Sequence, residues 1–173
     1  MLIVGLAPGL QGANRTGRPF TGDYAGDLLY QALSDYGFSY GNYGASATDG
    51  LRLVNCMITN AVRCLPPENK PNGGEIKNCQ PFLRSRIQGL ARLRVILALG
   101  KIAHDSVLRS FELKLSDAKF AHGALHQMPD GHILVDSYHC SRYNTNTGRL
   151  TTEMFQEVFA QIQALLDAEN DRA

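Results

Sequence analysis

The feature that most constrains the fold is an uninterrupted apolar run at the start of the chain. Residues 2–8 read Leu-Ile-Val-Gly-Leu-Ala-Pro, and Pro8 closes the run. A run without polar alternation is typical of a strand that is buried on both faces, as in a parallel sheet. A loop rich in glycine follows, with Gly12, Gly17 and Gly22. The pattern predicts a central strand that ends in a flexible, exposed loop.

The rest of the chain alternates strands and helices. Further strands are predicted over residues 52–62, 95–99 and 133–135, and helices over residues 24–37, 75–93, 101–111 and 151–166. Residues 38–50 have the composition of a loop. Such alternation indicates a parallel sheet covered on both faces. We expect an α/β fold, a three-layer α/β/α sandwich with a central four-stranded parallel sheet, formed as a single domain over residues 1–173.

Composition sets few limits on function. Charged residues make up 19% and apolar residues 44% of the 173 residues, as in ordinary globular proteins. There is no signal peptide and no membrane-spanning run, so we expect a cytoplasmic protein. The net charge of +1 neither favours nor excludes nucleic acid. A local basic face, or else a set of solvated helix residues, is predicted from Arg84, Arg86, Arg92 and Arg94.

Ligands of parallel α/β sheets bind beyond the carboxyl ends of the strands. The loops that follow Pro8, Asn60 and Ser137 all leave such ends. We therefore expect the side chains of these three loops to converge on one site.

Three blocks in these loops resemble motifs of one enzyme family. Residues 5–23 read GLAPGLQGANRTGRPFTGD, residues 60–71 read NAVRCLPPENKP, and residues 139–150 read HCSRYNTNTGRL. Together they resemble, in order, the motifs of the fifth family of uracil-DNA glycosylases, with Cys140 where proline is usual. Shorter similarities lie at Ala98–Lys101 and His122–Gly123. The resemblance covers residues 2 to about 165 and implies a DNA-repair enzyme that extrudes a damaged base and hydrolyses its N-glycosidic bond.

The resemblance assigns base-binding roles to three side chains. Phe20 would stack on the extruded base, although it could also be a loop anchor in the core. The amide of Asn60 offers a donor and an acceptor to a pyrimidine edge, or else caps a turn. His139 would stabilise the anion that develops on the base O2, or else be a satisfied structural histidine.

A carboxylate is needed to hold the attacking water or to oppose the cationic sugar. The resemblance points to Asp23, which is equally suited to cap the helix that starts near Tyr24. Well-known members carry a polar side chain just after the leading Gly5, where this chain has Leu6 and Ala7. We expect this small apolar lining to admit bases beyond uracil, such as hypoxanthine and other deaminated or oxidised bases.

DNA contacts are expected just after His139. Arg142, Tyr143 and Asn144 would enter the space that the extruded nucleotide vacates, or else form a solvent loop. We expect the substrate to be double- or single-stranded DNA that contains uracil or deaminated bases, and the protein to act as a monomer.

The resemblance also implies a [4Fe–4S] cluster with four cysteine ligands. Cys64 and Cys79 match two of them, whereas Cys56 and Cys140 lie elsewhere in the motif pattern. The other pair belongs before the first strand, where this sequence has no residues. We expect that the full protein starts upstream, or else that the cluster is lost. A disulfide or a zinc site is less well supported, because no C-x-x-C pair is present.

Two other functions remain open at this point. The loop after the first strand could cradle a phosphate in a nucleotide-binding α/β module, although no phosphate-loop pattern occurs there. A DNA-binding relative with weakened catalysis is also compatible with the missing polar residue after Gly5.

Overall fold

In the computed structural model, residues 1–170 are described, and strands alternate with helices along them. The strands are β1 (Leu2–Gly5), β2 (Ser39–Tyr40), β3 (Arg52–Leu53), β4 (Met57–Asn60), β5 (Val95–Leu99), β6 (Leu125–Gln127) and β7 (Ile133–Ser137). The α-helices are α1 (Ala13–Thr16), α2 (Tyr24–Asp35), α3 (Gly73–Gln88), α4 (Lys101–Ser110), α5 (Arg142–Asn146) and α6 (Thr152–Asn170), and a 3₁₀ turn spans Pro67–Asn69.

The central sheet has the strand order β4-β1-β5-β7-β6. Strands β4, β1, β5 and β7 are parallel, and β6 pairs antiparallel with β7 at one edge. The parallel strands therefore all end at the same edge of the sheet. This is the edge from which the three predicted loops depart.

Both faces of the sheet are covered by helices, so the three-layer α/β/α arrangement is confirmed. On one face, α2 and α6 pack against residues such as Ile3, Leu97 and Val135. On the other face, α3 and α4 pack against the alternate residues, among them Val4 and Ile96. Side chains that alternate along a strand point to opposite faces, which is why uninterrupted apolar runs encode these strands.

The sheet differs from the prediction in two places. It has five strands rather than four, because the short edge strand β6 carries exposed Leu125 and Gln127 and gives no apolar run. The strand predicted over residues 52–62 is two strands, since Asn55 takes a left-handed backbone conformation (φ 49°) between them. Of these two strands, β4 joins the central sheet. The other, β3, pairs with β2, which lies in the segment predicted as a loop.

The helices lie close to their predicted positions. Helix α3 begins at a capping box between Asn72 and Glu75 and ends before Gly89, several residues earlier than predicted. Phe82 is an apolar residue of α3 but is 54% exposed, with the guanidinium of Arg63 5.1 Å from its ring centroid. Over residues 1–170, no helix is long and apolar enough to cross a membrane.

Candidate functional site

A cleft of about 640 Å³ opens at the carboxyl edge of the sheet. Its walls come from the segments that directly follow β1, β4, β5 and β7, which is the convergence that the sequence predicts. The lining includes Leu6, Ala7, Phe20, Asp23, Asn60, His139, Arg142 and Asn144. Volumes of this size are usual for small-molecule and cofactor sites in proteins.

Phe20 forms one wall of the cleft and is 7% exposed. Its backbone is left-handed (φ 54°), a conformation that a bulky residue adopts only where its surroundings impose it. Gly5 lies directly behind the ring. A Cβ at Gly5 would lie 2.6 Å from Cζ of Phe20 and 2.5 Å from Oδ1 of Asn60. The glycine at the end of β1 therefore lets the aromatic ring and the amide meet in one place.

A brace of four side chains (Arg18, Tyr30, Tyr43, Asp49) holds the backbone on both sides of Phe20. The hydroxyl of Tyr30 donates to the Pro19 carbonyl at 2.8 Å, and that of Tyr43 donates to the Phe20 carbonyl at 3.1 Å. The two tyrosine rings stack with their centroids 4.4 Å apart. These bonds fix the strained residue from behind, outside the cleft.

Arg18 links the brace to the loop that precedes β3. Its guanidinium lies 5.1 Å from the ring centroid of Tyr30 and 5.6 Å from that of Tyr43. It also donates two hydrogen bonds of 2.7 Å to the carboxylate of Asp49. The hydrogen bond from Arg18 holds the pKa of Asp49 well below its usual range. Sequence patterns gave no sign of this pair, because its members lie 31 residues apart.

Asn60 and His139 each bring a buried polar atom without a partner to the cleft. Oδ1 of Asn60 and Nδ1 of His139 are buried and make no hydrogen bond within the described chain. Such atoms are rare in folded proteins and are costly unless a ligand or water satisfies them. The His139 ring lies 5.8 Å from that of Phe20, and burial lowers the pKa of His139 to about 4. The imidazole is therefore neutral at physiological pH.

Asp23 caps a helix and also lines the cleft. One carboxylate oxygen accepts a hydrogen bond of 3.2 Å from the Gly26 backbone N–H and caps α2. The other lies against Gly12, where a Cβ would come within 2.2 Å of it. Asp23 also lines the cleft, and burial raises its pKa above the ordinary value against the effect of the backbone hydrogen bonds. The group is thus a cap whose second oxygen is available for chemistry.

The three residues proposed for DNA contact have different surroundings. Arg142 lines the cleft, with its guanidinium 5.0 Å from the Tyr24 ring centroid. Asn144 also lines it, and its side-chain amide donates to the His139 carbonyl at 2.8 Å. Tyr143 is 72% exposed and is not part of the lining. Asn144 therefore supports the His139 loop, while the other two side chains offer outer surface.

Comparison with known proteins identifies this arrangement. The model of the Uracil DNA glycosylase superfamily matches residues 1–163. The chain belongs to the uracil-DNA glycosylase superfamily. It is 46% identical over 165 residues to a type-5 uracil-DNA glycosylase of Thermus thermophilus, covering 95% of this chain and 75% of that protein. A type-5 enzyme of Pyrobaculum aerophilum is 40% identical, covering 95% of this chain and 71% of that protein. A type-4 enzyme of the same organism is 38% identical over 109 residues, 62% of this chain and 47% of that protein.

Several residues of this glycosylase cleft were missed in the sequence. Tyr138 and Arg149 form a cation–π pair at 4.7 Å on its rim, and Phe120 and Lys101 also line it. Arg149 and Lys101, whose ammonium also pairs with Asp105, carry positive charge at the opening. The signal for Tyr138 was its position directly before His139, whereas nothing in the spacing pointed to Phe120. The arginines considered for a basic face, Arg84, Arg86, Arg92 and Arg94, do not line the cleft.

The cysteines do not fit a complete iron–sulfur site. The backbone N–H of Arg63 donates to Sγ of buried Cys79 at 3.4 Å. The next residue in the chain is the exposed Cys64, so its backbone lies near Cys79. Cys140 is fully buried and donates to the Ala25 carbonyl, and Cys56 lies beside the chain's first residue. A cubane cluster needs four thiolates. The described residues bring together two at most.

Replacing Asp49 by asparagine is expected to lower the free energy of unfolding by about 1.5–3 kcal/mol near neutral pH, because the bidentate bond to the Arg18 cation is lost. The pKa of Asp49 is lowered in the folded state, so its contribution is present above about pH 4 and disappears as the pH falls through the folded pKa. Urea unfolding at neutral pH measures the first effect, and a series at falling pH, over which the difference between Asp49→Asn and the parent protein should shrink, measures the second.

The control is Asp167→Asn, since Asp167 is exposed and accepts only from Gln163 on its own helix. It should leave stability nearly unchanged at either pH. Equal stability of Asp49→Asn and the parent protein at neutral pH would show that the brace contributes nothing.

Proposed function

We propose that this chain is a monofunctional uracil-DNA glycosylase that acts on an extruded base and leaves an abasic site. The observation that carries the proposal is that Phe20, Asn60 and His139, from three distant loops, line one cleft. The type-5 relatives, which are named as uracil-DNA glycosylases, support the same reaction.

The base would be held by stacking and by an edge contact. Extrusion costs a few kcal/mol of unstacking, and stacking on an aromatic ring such as Phe20 returns about 1–3 kcal/mol per base. The unpaired Oδ1 of Asn60 suits the N3–H of uracil, and its amide N–H suits O4. The cost of leaving Oδ1 without a partner is then recovered only when a base is bound.

His139 would stabilise the leaving base. As the bond between the base and C1′ breaks, its electron pair moves onto the base and negative charge develops on O2. A neutral imidazole has one N–H to donate, and a donor placed before the reaction stabilises that charge without reorganisation. The lowered pKa of His139 keeps the ring in this neutral form.

Asp23 would act on the other side of the reaction. The sugar becomes an oxocarbenium ion, which a carboxylate stabilises by charge. Water then attacks C1′ and gives its proton to the carboxylate oxygen that does not cap α2. The raised pKa of Asp23 makes the carboxylate a better proton acceptor than an exposed aspartate.

DNA would lie across the mouth of the cleft. Lys101, Arg142 and Arg149 supply positive charge there, and phosphate contacts of this kind depend on local placement rather than net charge. Tyr143 is the most exposed aromatic side chain of this region and is suited to fill the space of the extruded nucleotide. Double- and single-stranded DNA are both candidate substrates, and hydrolysis by a monomer needs no further subunit.

Specificity would be broad because the wall beside the base is small. Leu6, Ala7 and Gly9 line the cleft where a bulky side chain would exclude larger bases. The iron–sulfur cluster expected from the resemblance has at most half of its ligands here, and no step above uses it.

Incubation with a duplex that contains one uracil, followed by alkaline cleavage, tests the proposal. We expect strand breaks at the uracil, and rates lowered about 100-fold or more in Asp23→Asn, Asn60→Ala and His139→Gln. Asparagine still caps α2, so the first variant removes the proton acceptor and keeps the helix.

The matched controls are Asp167→Asn, Asn42→Ala and His132→Gln, which lie outside the cleft lining and should retain the parent rate. Binding of uracil DNA without cleavage would indicate a non-catalytic relative, and absence of DNA binding would leave a nucleotide-binding module. Unchanged rates in all three cleft variants would overturn the assigned roles.

Gly5→Ala tests whether the contact above Gly5 positions the base. The added Cβ must displace the Phe20 ring and the Asn60 amide, and displacements near 1 Å cost about 100-fold in rate. We expect at least a tenfold loss in single-turnover rate with the folded circular dichroism spectrum retained. Gly73→Ala, at a glycine with open space around it, should have no effect. A parent-like rate in Gly5→Ala would refute the positioning role.

A substrate panel tests the breadth of specificity. We expect excision of hypoxanthine as well as uracil, and a selective loss of hypoxanthine excision in Ala7→Tyr, whose ring narrows the wall. The measurement is the single-turnover rate of the parent enzyme and of Ala7→Tyr, each on uracil and on hypoxanthine. Strict preference of the parent enzyme for uracil would contradict the proposal.

A further inference from the structure

A second group of polar side chains lies away from the cleft, between the sheet and α4. It is the His–Asp–His cluster, formed by His104 on α4, His126 on β6 and Asp136 on β7. Nδ1 of His104 lies 2.8 Å from Oδ1 of Asp136, and Nε2 of His126 lies 3.0 Å from Oδ2. None of the three lines the glycosylase cleft.

The cluster is deeply buried in an apolar layer. His104 and Asp136 are 0% exposed, and the side chain of His126 is 16% exposed. Their neighbours on this face include Leu134, which precedes Asp136 on β7, and Ala103. Burial of ionisable groups at such a place is costly unless they are paired or bind a metal ion.

The surroundings of His104 fit those of a metal ligand. Its second ring nitrogen, Nε2, lies 3.0 Å from the Ala118 carbonyl, so both ring nitrogens face oxygen atoms. A neutral imidazole has only one N–H, so without a metal ion the two bonds require the protonated ring, paired with the carboxylate of Asp136. If a metal ion binds Nδ1, the remaining N–H donates to the carbonyl. Histidine ligands of metals are usually oriented in this way, with the distal N–H on a carbonyl or carboxylate.

We propose that the His–Asp–His cluster binds a divalent transition-metal ion such as Zn²⁺. The ligands are Nδ1 of His104, Nε2 of His126 and the carboxylate of Asp136, and these atoms lie within 4.8 Å of one another. Two imidazoles and one carboxylate form a donor set that Zn²⁺ commonly takes, with bonds of about 2.0–2.2 Å.

A route for the ion leads past His126. This side chain lines a shallow groove together with Leu125, Gln127 and Met128, so one edge of the cluster reaches the surface. The groove also leaves room for water as a fourth ligand. An ion that enters from the groove would meet the partly exposed His126 before the buried His104 and Asp136.

The ion would stabilise the connection between α4 and β6. Asp136 already holds this connection through its backbone, which bonds to Gly123 and Ala124, and through Oδ2, which accepts from the Ala121 N–H at 3.4 Å. A metal ion bound to all three side chains would replace the hydrogen bonds between them and would connect α4, β6 and β7 at one point. The role is structural and lies outside the proposed glycosylase chemistry.

Zinc titration of the chelator-treated protein tests the proposal, with competition against a chromophoric chelator. We expect one Zn²⁺ per chain, and binding weakened by about 100-fold or more in His126→Gln, since loss of an outer-shell partner alone costs about 10–100-fold. Zinc at 100 times its dissociation constant should raise the Tm by about 5–10 °C in the parent and leave the variant unchanged.

Two controls separate this site from the other candidates. His132→Gln replaces a histidine outside the cluster. The double variant Cys64→Ser/Cys79→Ser removes the two free thiols that match the expected iron–sulfur ligands. Both variants should bind zinc as the parent does. X-ray absorption of the zinc-loaded parent should show imidazole ligands and no sulfur. This measurement holds even if His126→Gln does not fold. A sulfur shell, equal binding in a folded His126→Gln, or no zinc bound by the parent would overturn the proposal.

Discussion

The contact of Phe20 and Asn60 above Gly5 is the constraint on which the cleft depends. The ring comes from a loop and the amide from the end of β4, 40 residues apart in the chain, and both reach the space above Gly5 because the end of β1 carries no side chain. Parallel pairing of β4 with β1 sets the second condition, since it places Asn60 directly beside Gly5. The register of two neighbouring strands thus decides where a base could be recognised.

Most of this arrangement could be predicted from sequence because it rests on local patterns. Apolar runs mark β1, β5 and β7, and each is followed at once by a residue of the cleft. The edge strand β6 could not be predicted, because strand pairing stabilises it without an apolar run. Helical spacing likewise does not show that α3 turns Phe82 towards Arg63 and solvent.

The brace and the His–Asp–His cluster escaped prediction for a different reason. Arg18 and Asp49, and likewise His104 and Asp136, are brought together only by the tertiary fold. Their partners are satisfied, whereas Asn60 and His139 each keep one buried atom without a partner. Buried atoms without a partner also occur outside the cleft, so it is their position in the cleft lining that makes these two candidates for binding a ligand.

Asp23 caps α2 and, in the proposed mechanism, also accepts a proton, which bears on how such a chain can change over generations. Asparagine and serine start a helix about as well as aspartate does, but neither accepts a proton from water. A single-nucleotide change from an aspartate to an asparagine codon would thus leave α2 and the cleft intact while removing the carboxylate. A lineage could in this way pass from a base-excising enzyme to a lesion reader without losing a folded protein at any step.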